Sequence, residues 1–264
     1  MESAVAIFTK VPIPGLVKTR LSQDTCLTEL DSSKIAEAMV KDTIGLSSTT
    51  QSDRIQIGYY PSENVNKLNE IISSLKLEGY LNKPVELILQ CGSDFNQRFG
   101  SIVKESFRKG VDFLVILGAD LPFLDPKVID NTLLCLANNL EDPPVIIGPS
   151  SGGGVYLVGI TRAFHYNWFS KYNLFGDGPE LSNFSKFCKD NRIPLITLPP
   201  YGDIDIEEDL VSLISYISIL KNSEKTIGFY YPRYTANVID DLKLYIINQD
   251  AQTRRRKIAK RTNN

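Results

Sequence analysis

Along the first 220 residues, short apolar and β-branched runs alternate with longer segments whose apolar positions recur at helical spacing. Strands are expected at Ala4–Phe8, Arg54–Tyr60, Val85–Leu89, Phe113–Leu117, Pro144–Ile147, Val155–Ile160 and Pro194–Leu198. Helices are expected at Ser32–Leu46 behind an Asp31/Ser32 cap, and at Val65–Leu75, Phe95–Arg108, Pro126–Asn138, Pro179–Asp190 and Glu207–Leu220. Phe113–Leu117 is apolar throughout, as in a parallel strand buried on both faces. Strands separated by single helices predict an α/β fold with a right-handed, mostly parallel sheet.

From Asn222 the pattern changes. The chain is polar, then aromatic (Phe229, Tyr230, Tyr231, Tyr234), then helix-like over Ala236–Gln249, then basic. This divides it into a domain over 1–221 and an appendage over 222–264. No GxxxxGK[ST] loop occurs, and no GxGxxG follows the first strand, which argues against a P-loop enzyme and a dinucleotide dehydrogenase.

Composition narrows the chemistry. The 264 residues include one histidine, His165, and four cysteines, Cys26, Cys91, Cys135 and Cys188, at least 44 residues apart. Paired-His zinc sites, CxxC motifs and a disulfide scaffold are therefore not expected. Catalysis must use carboxylates, Lys, Arg, backbone amides or a metal held by oxygen. The formal charge is −2, but Gln252–Asn264 holds six basic residues and no acid, so the other 251 residues carry −8. Such a body is not a general nucleic-acid binder. The tail reads as a solvated, frayed terminus, with contact to nucleic acid or an acidic surface as the alternative. The sequence shows no signal peptide and no apolar run of 18 residues, so a cytoplasmic location without membrane contact is expected.

Three loops carry candidate chemistry. After the first strand, two prolines and Gly15 fix an extended path, and Lys18 and Arg20 follow beyond the strand's carboxyl end, where open α/β sheets bind ligands. The two cations suit a polyphosphate, or are merely solvated. At Leu117-Gly118-Ala119-Asp120-Leu121-Pro122 an apolar strand ends in an acid. Asp120 can join an oxygen-ligand site for Mg²⁺ or Mn²⁺, or cap the next helix, although Asp125 before Pro126 is the better cap. In Asp203-Ile204-Asp205-Ile206-Glu207-Glu208-Asp209, the alternation of Asp203 and Asp205 predicts both carboxylates on one side, which favours a cation between them. Gly152-Gly153-Gly154 suits close approach to a ligand, or a flexible hairpin. Gln90, Asp94 and Arg98 add polar groups after the third strand.

In this order, Lys10-Val11-Pro12-Ile13-Pro14-Gly15-Leu16-Val17-Lys18-Thr19-Arg20-Leu21, Gly118-Ala119-Asp120-Leu121-Pro122, Gly148-Pro149…Gly153-Gly154 and Asp203-Ile204-Asp205…Asp209-Leu210 resemble the uncharacterised transferase-1-type proteins, which are glycosyltransferase-A-like nucleotidyl or glycosyltransferases. They also resemble the related 2-phospho-L-lactate guanylyltransferases. The resemblance covers about residues 4–220. It implies a three-layer α/β/α nucleotide-diphospho-sugar transferase fold. It also implies a triphosphate on Lys18 and Arg20, with Lys10, Gly15, Gln90, Asp94 and Arg98 around the nucleotide. Mg²⁺ or Mn²⁺ would sit on Asp120 with Asp203 or Asp205, and Gly152, Gly153, Gly154, Gly176 and Glu180 would face the acceptor. Two features depart from the transferase pattern: the glycine turn lacks the usual acid, and Phe175-Gly176-Asp177-Gly178-Pro179 stands where those proteins carry a Trp-containing segment.

The expected activity is metal-dependent transfer of a nucleoside monophosphate, GMP by the guanylyltransferase resemblance, from an NTP to a small phosphorylated or carboxylate acceptor such as 2-phospholactate. An acceptor oxyanion needs no general base, which fits a chain with one histidine. Glycosyl transfer from a nucleotide-sugar is the alternative, and a degenerate, non-catalytic transferase fold the third reading. A homodimer is left open.

Overall fold

The computed structural model describes residues 1–223, 227–248 and 255–261. Seven strands form the central sheet: β1 (Glu2–Lys10), β2 (Arg54–Tyr60), β3 (Val85–Leu89), β4 (Val111–Gly118), β5 (Val145–Pro149), β6 (Val155–Thr161) and β7 (Leu195–Thr197). Their spatial order is β3-β2-β1-β4-β6-β5-β7. Neighbours run parallel except β6, which is antiparallel to both β4 and β5. The exception follows from connection length: only the glycine turn joins β5 to β6, and a link that short reaches an antiparallel partner alone. The mostly parallel α/β sheet expected from the sequence is therefore present.

Helices cover both faces: α1 (Thr19–Asp24), α2 (Glu29–Ser48), α3 (Val65–Leu77), α4 (Phe95–Arg108), α5 (Pro126–Asn138), α6 (Trp168–Lys171), α7 (Glu180–Asn191), α8 (Glu207–Asn222) and α9 (Arg233–Asp241). Period-two alternation sorts strand residues between two cores. Val5, Ile7, Val115 and Leu117 join one core with α2, α3, α5 and α8, while Ala4, Ala6, Leu114 and Ile116 join the other with α4, α6 and α7. The result is three layers.

The order of the strands locates the crevice. The chain winds outward through β1, β2 and β3, then returns so that β4 lies on the other side of β1. Crossovers leave in opposite directions at this switch point, and a crevice opens beyond the carboxyl ends of β1 and β4. Lys10 and Gly118 stand at those ends.

One helix cap differs from expectation and another matches it. The cap of α2 is Thr28 rather than Asp31/Ser32, so the helix begins at Glu29. Thr28 Oγ1 accepts from the Asp31 amide at 3.1 Å, and Asp31 Oδ2 accepts from the Thr28 amide at 3.0 Å, a reciprocal pair that satisfies two amide donors. Asp125 caps α5 as expected, accepting from the Lys127 amide at 3.0 Å.

The larger correction is C-terminal. The helix expected over Ala236–Gln249 is α9, which stops at Asp241, followed by β8 (Leu244–Asn248); Gln249 lies outside the described residues. Lys243, at φ +54°, turns the chain, and Leu244-Tyr245-Ile246-Ile247 has the aromatic and β-branched composition of a strand. β8 pairs antiparallel with β9 (Arg256–Lys260). Over these residues the basic tail is thus ordered structure, not a frayed end; Arg254 lies outside the described residues. Ile258 is buried, its amide donates to Glu207 Oε1 at 2.8 Å, and Lys260 Nζ lies 3.0 Å from Asp31 Oδ2. Ile258 is the buried residue of a strand whose Arg256, Lys257 and Lys260 are exposed.

Asp42, in the middle of α2, fastens α9. Its buried carboxylate accepts from the Thr235 amide and Thr235 Oγ1, both at 2.7 Å, and from the Tyr234 amide at 3.1 Å. Burial pushes this carboxyl up to about 7, against the lowering effect of those bonds and of Arg233. No helix among the described residues is long and apolar enough to cross a membrane.

Candidate functional site

The crevice at the β1/β4 switch point is a cleft of about 360 Å³. Phe8, Thr9 and Lys10 enter it from β1, residues 16–18 from the first loop, Thr19 and Arg20 from the start of α1, Phe95 from α4, Asp120 from the β4 turn, and Asp205 from the acidic segment.

The first loop is shaped by its prolines and glycine. The Val11 amide donates to Tyr60 O at 2.8 Å, the Leu16 amide turns back to Ile13 O at 3.1 Å, and Gly15 has φ +77°. Lys18, at φ +49°, is in the left-handed region, a strained conformation for a side chain with a Cβ. That turn aims its side chain inward, where it is only 7% exposed. Nζ lies 2.8 Å from Asp120 Oδ1 and also donates to the Ile204 carbonyl. The Ile204 amide in turn donates to Asp120 O at 3.1 Å, closing a small circuit between the β4 turn and the acidic segment. Arg20 Nη1 pairs with Asp205 Oδ2 at the more open end. Lys18, Arg20, Asp120 and Asp205, singled out from three distant parts of the chain, therefore meet in one cleft.

Asp203 does not join them. It accepts from Ser150 Oγ and lines a neighbouring pocket with Tyr201 and Asp209. The expectation that Asp203 and Asp205 share one side fails because residues 201–205 form no ladder, so the period of two does not hold. Asp209 caps the start of α8, its Oδ2 accepting from the amides of Asp205 and Ile206 at 3.0 and 2.9 Å. No cluster of three His, Cys, Asp or Glu side chains able to hold a metal occurs among the described residues. Two carboxylates on one cleft still suit Mg²⁺, which keeps waters and takes substrate phosphate oxygens rather than requiring an all-protein cage.

Several candidates stand outside the cleft lining. Gln90 is buried and donates to Thr9 O and Gly58 O at 3.0 and 2.8 Å, tying together the ends of β1 and β2. Asp94 caps α4, accepting from the Gln97 amide at 2.9 Å. The Arg98 guanidinium lies 5.6 Å from the Tyr60 ring centroid.

The glycine turn faces another part of the rim. Gly152 and Gly153 have φ +66° and +85°, and a Cβ on Gly153 would come within 2.8 Å of Pro179 Cβ. A Cβ on Gly154 would lie 4.0 Å from Glu180 Oε2. Gly176 is pinned by Asn183 Nδ2, which donates to its carbonyl at 2.6 Å. Gly152–Gly154 and Glu180 thus adjoin one another, with the Gly176 turn leading into α7.

The cleft also has an aromatic part that no motif in the sequence announces. Phe95, the first residue of α4, is 40% exposed, and its ring centroid is 5.0 Å from that of Phe8 and 4.9 Å from that of Phe175. A phenylalanine directly after the Asp94 cap, at the carboxyl-end rim of the sheet, is the one signal the sequence offers.

Comparison with known proteins supports the fold. Residues 60–174 match a family described as an uncharacterised protein conserved in bacteria, DUF2064. That stretch includes Asp120 and the glycine turn but neither Lys18 and Arg20 nor Asp203 and Asp205. No curated protein matches the sequence. The crystal structure of a candidate nucleotide-diphospho-sugar transferase from Desulfovibrio desulfuricans G20 superposes with TM-score 0.68 at 24% identity, covering 91% of this chain and 98% of that one. A cytidylyltransferase from Leptospira borgpetersenii serovar Hardjo-bovis (strain JB197) gives 0.52 at 16% identity over 91% and 94%. A 4-diphosphocytidyl-2C-methyl-D-erythritol synthase from Anaerococcus prevotii DSM 20548 gives 0.55 at 11% over 82% and 96%. The chain has the nucleotide-diphospho-sugar transferase fold.

Proposed function

We propose that the cleft binds the phosphates of a nucleoside triphosphate and that the protein transfers the nucleoside monophosphate to a small acceptor. The observation that carries this reading is the convergence of Lys18, Arg20, Asp120 and Asp205 beyond the carboxyl ends of β1 and β4. In the free protein each cation rests on a carboxylate. An incoming polyphosphate offers more charge and more acceptor oxygens than one carboxylate, so Lys18 and Arg20 turn to it. Asp120 and Asp205 are the residues that would hold Mg²⁺ or Mn²⁺, which supplies charge neutralisation on the phosphates when bound. The Lys18 side chain is nearly buried, so its charge acts on the transferring group with little screening by water. The fold shared with a cytidylyltransferase supports this reading.

GTP with 2-phospholactate is the substrate pair to test first. Pyrophosphate release across the four NTPs, each with phospholactate-like acceptors, is expected to identify a turned-over nucleotide. Absence of turnover together with absence of metal-dependent NTP binding would falsify the reading. The stronger likeness to a candidate nucleotide-diphospho-sugar transferase favours a second reading, glycosyl transfer. Thermal stabilisation by UDP- or GDP-sugars but not by NTPs selects it.

A further inference from the structure

Across the 203–205 segment from the cleft lies a second pocket, about 600 Å³ in volume. Four aromatic residues from separate elements line it: Phe123 before α5, Tyr201 after β7, Tyr216 on α8, and Phe229 after α8. Neighbouring centroids are 5.5 Å apart for Phe123 and Tyr216, 6.0 Å for Tyr216 and Phe229, and 6.4 Å for Tyr201 and Phe229. Their planes meet at 61°, 35° and 80°, so the rings make a curved wall rather than a stack. Phe123 is buried, but Tyr216 and Phe229 are 42% and 39% exposed.

The wall is held by the backbone around it. The Tyr230 amide donates to Phe123 O at 3.0 Å, and the Tyr201 hydroxyl lies 3.3 Å from Gly228 O. Asp203 and Asp209 are its charged lining residues, with no Lys, Arg or His among the described lining. Ser150 and two backbone amides hold these carboxylates in place. The balance is opposite to that of the cleft, where Lys10, Lys18 and Arg20 face Asp120 and Asp205.

A ring face and a carboxylate without a cationic partner among the described residues each make a negative potential, which repels a phosphate and attracts a cation. We propose that this pocket binds a small organic cation, an alkylated or quaternary ammonium group, among Phe123, Tyr201, Tyr216 and Phe229, with Asp203 and Asp209 as countercharges. The inference stands apart from the transferase reading, because binding is measured without nucleotide.

The test is calorimetric titration of the full chain with choline, with its neutral carbon isostere 3,3-dimethylbutan-1-ol, and with glucose. Choline is expected to bind at least about tenfold more tightly than the isostere. Phe229→Ala and Tyr216→Ala are each expected to weaken choline binding about tenfold, with Tyr216→Phe restoring it. Asp203→Asn is expected to weaken it a few-fold, and Arg20→Ala to leave it unchanged. Unfolding midpoints identify variants that fail to fold, and Tyr216→Phe keeps the test valid if Tyr216→Ala is one. Equal affinity for the isostere, saturation by glucose alone, or no saturable choline signal up to about 50 mM overturns the proposal.

Discussion

The cleft and the aromatic pocket share one wall, the segment Asp203-Ile204-Asp205, yet their charges are arranged oppositely. On the cleft side Asp205 and Asp120 each meet a cation from the first loop. On the pocket side Asp203 and Asp209 meet only neutral donors among the described residues, and rings stand in place of the cations. Both sides hold two carboxylates, so counting acids does not distinguish them. What distinguishes them is whether a cation is paired with the carboxylate, available to be drawn off by a stronger anion. The acidic run in the sequence is therefore two half-sites rather than one cluster.

The largest effect expected to test this contrast is at Lys18. Lys18→Met should lower kcat/KM for the turned-over nucleotide by about 10²–10³, since a fixed, nearly buried charge is lost from the transferring group. Pyrophosphate release measures it, and a loss below threefold would break the assignment of the cleft as the phosphate side. Choline binding in the neighbouring pocket should be untouched by the same change.

Next comes Asp42, which fastens α9 just beyond the Phe229 wall. Asp42→Ala strands two amides and a hydroxyl in a buried setting and should destabilise the protein by about 2–4 kcal/mol in urea unfolding. It should weaken the aromatic pocket more than the cleft. The same carboxyl gives a pH signature. Its folded value near 7 lies above its ordinary 3.8, so its contribution is full below 3.8 and is lost as pH rises through about 7. Relative to Asp42→Asn, wild type should lose up to about 1.4 kcal/mol per pH unit across that window. A flat difference curve would contradict the burial of this acid.

The smallest effect is at Arg20. Its ion pair with Asp205 is exposed, so Arg20→Ala should change stability by less than about 1 kcal/mol. Nucleotide KM should nonetheless rise several-fold. Equal losses in stability and affinity would mean that the pair is structural and the cleft less distinct from its neighbour than its charges suggest.

Where local chemistry dictated structure, the sequence was legible. Arg54–Tyr60, Val85–Leu89, Phe95–Arg108 and Pro126–Asn138 match the elements β2, β3, α4 and α5 at both ends. Caps, prolines and β-branched runs mark those boundaries within a few residues. Alternation predicts parallel strands whose carboxyl ends share one edge, which places Lys18 and Asp120 together; Asp205 follows β7 at the far edge of the sheet and reaches the cleft only because its segment crosses back to the β4 turn, where the Ile204 amide donates to Asp120 O. Non-local pairing was not legible. Apolar spacing over 236–249 suits a helix until β9 supplies a partner for β8, and nothing near Asp42 announces Thr235. Alternation at Asp203 and Asp205 does not put them on one side, because their segment belongs to no sheet.

The last described strand has a consequence in time as well as in space. β9 braces the turn between α1 and α2: the Cys26 thiol contacts Ile258 O at 3.5 Å, and Lys260 reaches Asp31. These contacts span 232 and 229 residues, so the support beneath the first loop is completed by residues synthesised long after the loop itself. During translation the loop waits for its buttress, and contacts of such long range are slow to close. A ribosome-stalled chain lacking β9 should therefore have its sheet before it has a finished cleft.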